Sequence, residues 1–226
     1  MDLALGFSAG SFADKITPSD PQGGQFVLAT RMKSSPAWMV DLLARGTIEV
    51  AGGTVLIPYV NMAFGGEGVS WNTGEASAPE NSGSHFLAVV GADLRIQPLE
   101  KVLIYPGAGI RYGRIGLDRN GEEMVNNWAL SAPFVGVALD ARMADWAFFR
   151  MGVRQSMVFS STYNGIQRVK ESGSTTDVSL GLGFRLGRVD LDLRVNPALL
   201  TQGPQIVTGK TLEDGFAAEA GIRFMW

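Results

Sequence analysis

The 226-residue chain has no cysteine and a single histidine. Without thiols there is neither a disulfide framework nor a thiolate metal centre. One imidazole leaves oxygen ligands almost alone, so zinc or copper coordination does not fit, and no metal is expected. Charged residues make up only 18% of the chain and the net charge is −3, too mild a balance to mark a nucleic-acid surface. No run of eighteen apolar residues occurs, which excludes a transmembrane helix. Gly107-x-Gly109 with Gly113 misses the dinucleotide-loop spacing, and no cofactor is expected. Nor does a low-complexity linker divide the sequence, so residues 1–226 read as a single domain.

What the chain does contain is alternation. In the last twelve residues Phe216, Ala218, Ala220, Ile222, Phe224 and Trp226 share one face, while Glu219 and Arg223 share the other. Period-2 patterning of this kind marks a strand with one apolar and one polar face. The pattern recurs in Leu3–Gly10, Phe26–Lys33, Thr54–Phe64, Phe86–Gln97, Lys101–Leu117, Trp128–Met143, Trp146–Ser160, Asp177–Leu186 and Arg188–Asn196. Pro133 is expected to bulge its strand and reset the alternation. Residues 36–53, ending an apolar run at Arg45-Gly46, read as a short helical turn, with a further strand as the alternative. This gives ten strands; eight and twelve are the alternatives. Connections after the fourth, sixth and eighth strands are short, while those after the odd strands, including 65–83, 118–127 and 163–174, read as long polar loops.

The polar faces carry charge along their length, unlike a simple half-buried sheet. Parity places Arg95, Arg111, Asp140, Arg150, Arg154, Arg185, Asp190, Asp192, Arg194, Glu219 and Arg223 on them as a candidate salt-bridged network. Arg31, Lys33, Arg142, Arg188, Asp93 and Asp177 join the same parity count, for an excess of about +5. Glycines on that face, Gly91, Gly109, Gly113, Gly152, Gly181, Gly183 and Gly221, make room for long side chains. Phe26, Trp38, Trp128, Trp146, Phe159 and Trp226 fall near strand ends, as interfacial aromatics do.

In its strand pattern, its asymmetric connections and its terminal aromatic, the chain resembles bacterial outer-membrane β-barrel proteins. The resemblance implies an all-β, closed antiparallel transmembrane β-barrel with short periplasmic turns and long outer loops. It also implies lumen-facing charges, and an assembly signal at Phe216, Ile222, Phe224 and Trp226. The location implied is the bacterial outer membrane, with Met1 standing where an export signal was removed. Expected partners are outer-membrane lipid, lipopolysaccharide and the barrel-assembly machinery, with no nucleic acid. The leading functional reading is a narrow pore or structural membrane protein, anion-preferring if it conducts. Two alternatives are a loop-mediated docking component of the cell envelope, and a lipid or peptide hydrolase using His85. Ser82 and Ser84 stand beside His85, but the His-x-Ser and Asp-x-His spacings that outer-membrane hydrolases use are absent, since Phe86 and Leu87 follow it and Gly83 holds the Asp position, and an enzyme is the less favoured reading.

Overall fold

The computed structural model describes residues 2–11, 30–31, 36–69, 71–72, 81–119, 122–163, 167–195 and 218–225. The barrel strands are β1 (Asp2–Ser11), β2 (Pro36–Arg45, continued by Ile48–Ala51), β3 (Thr54–Val69), β4 (Asn81–Leu99) and β5 (Val102–Arg119). They continue as β6 (Glu122–Ala144), β7 (Ala147–Tyr163), β8 (Arg168–Leu186), β9 (Val189–Val195) and β10 (Ala218–Met225). Each pairs antiparallel with its sequence neighbours, and β10 pairs β1, so the ten strands close on themselves. Closure removes the edge strands that an open sheet would expose. Both ends of the described barrel, Asp2 and Met225, lie at the rim of the short turns.

The strand count agrees with the sequence reading, but one strand is a different segment. Residues 36–53 form no helix. Residues 36–45 pair with β1 and β3, and Arg45↔Tyr59 and Ile48↔Leu56 hold one register across the break at Gly46-Thr47. The Gly46 N–H donates to the Pro58 carbonyl at 2.8 Å, keeping the ladder intact there. The turn to β3 is Gly52-Gly53, whose φ values of 57° and 79° favour glycine. Within the segment read as strand two, only Thr30–Arg31 are described, and they bridge Trp71–Asn72 outside the barrel sheet.

The expected loops at 118–127 and 163–174 are also corrected. The ladder runs on to Arg119↔Glu122 and Tyr163↔Arg168, so these segments are tall hairpins. β6 is 23 residues long, about twice the 9–11 residues that a tilted strand needs to cross a bilayer. At Pro133 the sequence reading holds. Pairing with both neighbours shifts between Ser131 and Phe134, and both of these side chains point inward.

The two faces differ as the alternation requires. On β1, Ala4, Gly6 and Ser8 are buried while Leu3, Leu5 and Phe7 are exposed. Around the outside run Leu42, Val60, Met62, Val90, Ile110, Val135, Val137, Val153, Leu182 and Leu193, all exposed. A continuous apolar surface of this extent does not persist in water, and it matches a lipid-facing band.

Two aromatic belts border that band. In the upper one Phe64, Phe86, Tyr112 and Trp128 link β3 to β6 with centroid separations of 5.1, 6.1 and 6.5 Å. At the lower rim Trp146 stacks on Phe184 at 5.9 Å. Phe149 and Phe159, on the same face of β7, are ten positions apart, roughly 33 Å along the strand and about 25 Å along the barrel axis at an ordinary tilt.

Candidate functional site: a salt-bridged barrel interior

Inward positions divide the interior into two walls. From β3 to β6 the wall mixes apolar and aromatic side chains, Val55, Tyr59, Ala63, Val89, Leu103, Tyr105 and Phe134, with the charged Asp93, Arg95, Arg111 and Asp140. From β7 round to β2 it carries charge. Arg150 on β7 reaches Asp140 on β6 at 3.4 Å, and its Nη1 donates to Asp192 on β9. Arg154 pairs with Asp177 at 3.1 Å and Arg185 with Asp190 at 3.0 Å. Arg223 on β10 reaches Asp41 on β2 at 3.1 Å. At the turn rim Arg45 pairs with exposed Asp2 at 3.2 Å, beside a recess of about 300 Å³ lined by Asp2, Arg45, Arg188 and Met225.

Two of these pairs join strands that are not neighbours. Arg223, Gly6 and Asp41 lie in one register row, so the salt bridge crosses β1 above a glycine. A side chain on Gly6 would run into the Asp41 carboxylate. Likewise Arg150 crosses β8 to Asp192, and a Cβ on Gly183 would stand 2.5 Å from its guanidinium carbon. Aromatic and acidic side chains use the same device: Tyr59 lies over Gly91, Phe134 over Gly109, and Asp93 over Gly107. These glycines leave the space that a neighbouring strand's long side chain occupies.

Aromatic rings inside the barrel hold the guanidinium groups from the other side. Arg150 and Arg185 lie 5.9 and 5.3 Å from the Phe148 centroid, and Arg154 lies 5.7 Å from that of Phe134. Such stacking adds a favourable electrostatic contact to each arginine. Buried hydroxyls of Ser131 and Ser156, each 1% exposed, find no protein partner, which marks places for ordered water.

The geometry brings Arg150, Asp140, Asp192, Arg154, Arg185, Asp190 and Arg223 into ion pairs or cation–π contacts. Arg95 and Arg111 share the inward face, opposite Val55 and Ser131 in register. Arg194 lies opposite Glu219 in the β9–β10 ladder; the Glu219 side chain is outside the described residues. Parity in the sequence missed Asp41 and Asp2, because the first lay in an expected helix and the second preceded the first strand.

Two other members of the parity count, Arg188 and Arg31, lie outside the barrel strands. Arg188 is in the β8–β9 turn, Arg31 is in the bridge outside the barrel sheet, and Lys33 is outside the described residues. Counting described inward side chains, the arginines are nearly matched by Asp2, Asp41, Asp93, Asp140, Asp177, Asp190 and Asp192, so the expected excess of positive charge largely disappears.

Of the terminal segment, Ile222 and Phe224 face outward and Phe224 is exposed; Phe216 and Trp226 lie outside the described residues. His85 sits in the ladder opposite Gly65 and Ile115, its side chain outside the described set. Among the described residues no three potential ligands gather into a metal site.

No family model and no curated protein matches the chain. Among solved structures it is similar to the P. putida toluene transporter TodX (10% identity, TM-score 0.37, covering 99% of this chain and 66% of that one). The β domain of the Bordetella autotransporter BrkA gives 13% identity and TM-score 0.41, with 100% and 98% covered. An outer membrane channel from Pseudomonas putida F1 gives 7% and 0.41, with 99% and 94% covered. The chain thus spans just under two thirds of the TodX chain. Assignment rests on the molecule's own geometry. With a ladder closed on itself, a continuous apolar exterior between two aromatic belts and a polar interior, the chain is a closed antiparallel β-barrel of transmembrane type.

Proposed function

We propose that the chain is an outer-membrane barrel whose lumen is narrowed by its own arginine–aspartate network, passing water and small ions but not larger solutes. The observation that carries this reading is Arg150, which ties β6 to β9 from β7 through Asp140 and Asp192. Its cation–π contact with Phe148 holds it in place. Near balance of the inward charges makes any anion preference weak, since rings of one sign are what give a pore strong selectivity. The lipid and lipopolysaccharide of the outer membrane surround the apolar band. The outward residues Ile222 and Phe224 of β10 belong to the segment offered to the assembly machinery.

Planar-bilayer recording tests the proposal. The native barrel should show low conductance with a reversal potential near zero in a salt gradient. Arg150→Ala, which removes the crossing side chain, should raise the conductance severalfold. Large native conductance, or an unchanged current in Arg150→Ala, contradicts it.

A second reading has its own observation. The β5–β6 ladder continues five residues beyond Arg114 to Arg119↔Glu122, about 17 Å of strand, so this paired extension stands clear of the upper belt as a docking surface for another envelope component. Shortening this hairpin should then abolish partner capture without changing the conductance.

A further inference from the structure

The mouth of the barrel at the turn rim holds a recess that the interior network does not fill. Its volume is about 300 Å³, and Asp2, Arg45, Arg188 and Met225 line it. That is room for roughly ten water molecules. The four residues surround the seam where β10 closes on β1. Asp2 opens β1 opposite Arg45 at the end of the β2 segment 36–45, Met225 ends β10, and Arg188 immediately precedes β9. Asp2, Arg45 and Met225 share the parity of Ala4, Asp41 and Arg223, so the recess opens toward the lumen and not toward lipid.

The two guanidinium groups of the recess are held in place without being saturated. Arg45 Nε donates to Asp2 at 3.2 Å, with the two side chains 36% and 51% exposed, and a pair so exposed contributes little. Its Nη2 donates to the Met225 sulfur at 3.5 Å, a weak acceptor for a charged donor. The Met225 N–H donates to the Arg188 carbonyl at 2.9 Å, which fixes the β8–β9 turn against β10. Among the described residues no ion pair or side-chain hydrogen bond engages the Arg188 guanidinium. Two cations against one carboxylate leave the recess with one positive charge in excess.

We propose that this recess binds a small organic monocarboxylate. Its carboxylate lies between Arg45 and Arg188, where planar guanidinium forks match its two oxygens. Its short apolar part rests on Met225, whose unbranched thioether chain adapts to irregular shapes. One ligand charge cancels the excess, whereas a second would face Asp2 as a like charge. Inorganic phosphate offers oxygens to the same arginines but has nothing to place on Met225. The inference needs the closed barrel and its rim, and it stands whether or not the lumen conducts.

Calorimetric titration of the full chain, folded in detergent, with butyrate tests this. Heat-modifiable gel migration checks that each variant is folded. Saturable one-to-one binding is expected. Arg188→Ala should weaken it on the order of tenfold, as loss of one charge-assisted contact implies, and Arg188→Lys should recover part of that loss. Asp2→Asn should strengthen binding severalfold, because a like charge leaves the recess; a purely structural role for the Asp2–Arg45 pair would weaken it instead. Lys101→Ala, which removes a cation from the β4–β5 turn on the same rim, should have no effect. Absence of saturable binding overturns the proposal, as does an Arg188→Ala variant that binds like the native chain or an equal loss in Lys101→Ala. Tighter binding of succinate or inorganic phosphate than of butyrate overturns the monocarboxylate assignment.

Discussion

Replacing Arg150 with alanine is expected to make the barrel markedly easier to unfold, by about 2–4 kcal/mol at neutral pH. Arg150 serves two aspartates at once, Asp140 and Asp192. Their side chains are 16% and 35% exposed. Removing the cation therefore leaves two carboxylates of like charge facing each other in a restricted interior. Breaking a fully buried pair costs about 3–5 kcal/mol, and partial hydration of this interior reduces that.

Urea unfolding of the refolded barrel in lipid vesicles measures the difference. Gly183→Val should lose about 1–3 kcal/mol by a different route, because its added methyl groups occupy the slot where the Arg150 guanidinium lies. Both changes remove the same interaction, so the double variant should be much less than additive. Full additivity would show that the two residues act separately and that the slot has no bearing on the ion pair.

A comparably large effect is expected on the other face. Val137 points outward near the middle of β6 and is 50% exposed. At an exposed site of a water-soluble protein, Val137→Arg would change stability by about 0.5 kcal/mol or less. Facing the bilayer midplane, it should destabilise by about 2–4 kcal/mol. The same urea titration, with Asp145→Arg in the β6–β7 turn as the comparison, separates the two cases by several-fold.

Sequence alternation located most of the barrel because lipid on one side and a polar interior on the other impose period 2 along the strands. β2 escaped because its inward set mixes Met39 and Leu43 with Asp41 and Arg45. The resulting run is almost continuously apolar, and Ala, Leu, Met and Arg all favour helix in isolation. Ladder pairing with β1 and β3 overrides that preference. The hairpin ends were read as loops because above the bilayer nothing requires an apolar face, and the alternation fades while the backbone ladder continues.

The interior was legible as parity but not as chemistry. Period 2 assigns Arg150, Asp192 and Arg223 to the inward face. Which acid meets which base depends on register, and register over a glycine-rich face leaves little trace in sequence. The Arg223–Asp41 pair joins residues 182 positions apart across β1. Inward glycines indicated that long side chains needed space; only the register showed that Gly6 and Gly183 lie beneath particular ion pairs.

The most direct test of the membrane-embedded barrel uses the absence of native cysteine. Val137→Cys and Asp145→Cys, each carrying a nitroxide label, are refolded into bilayers, and relaxation by oxygen is compared with relaxation by a water-soluble nickel chelate. The label at 137 should be open to oxygen and shielded from nickel, while the label at 145 should respond strongly to nickel. Equal nickel accessibility at the two positions would contradict a lipid-facing exterior.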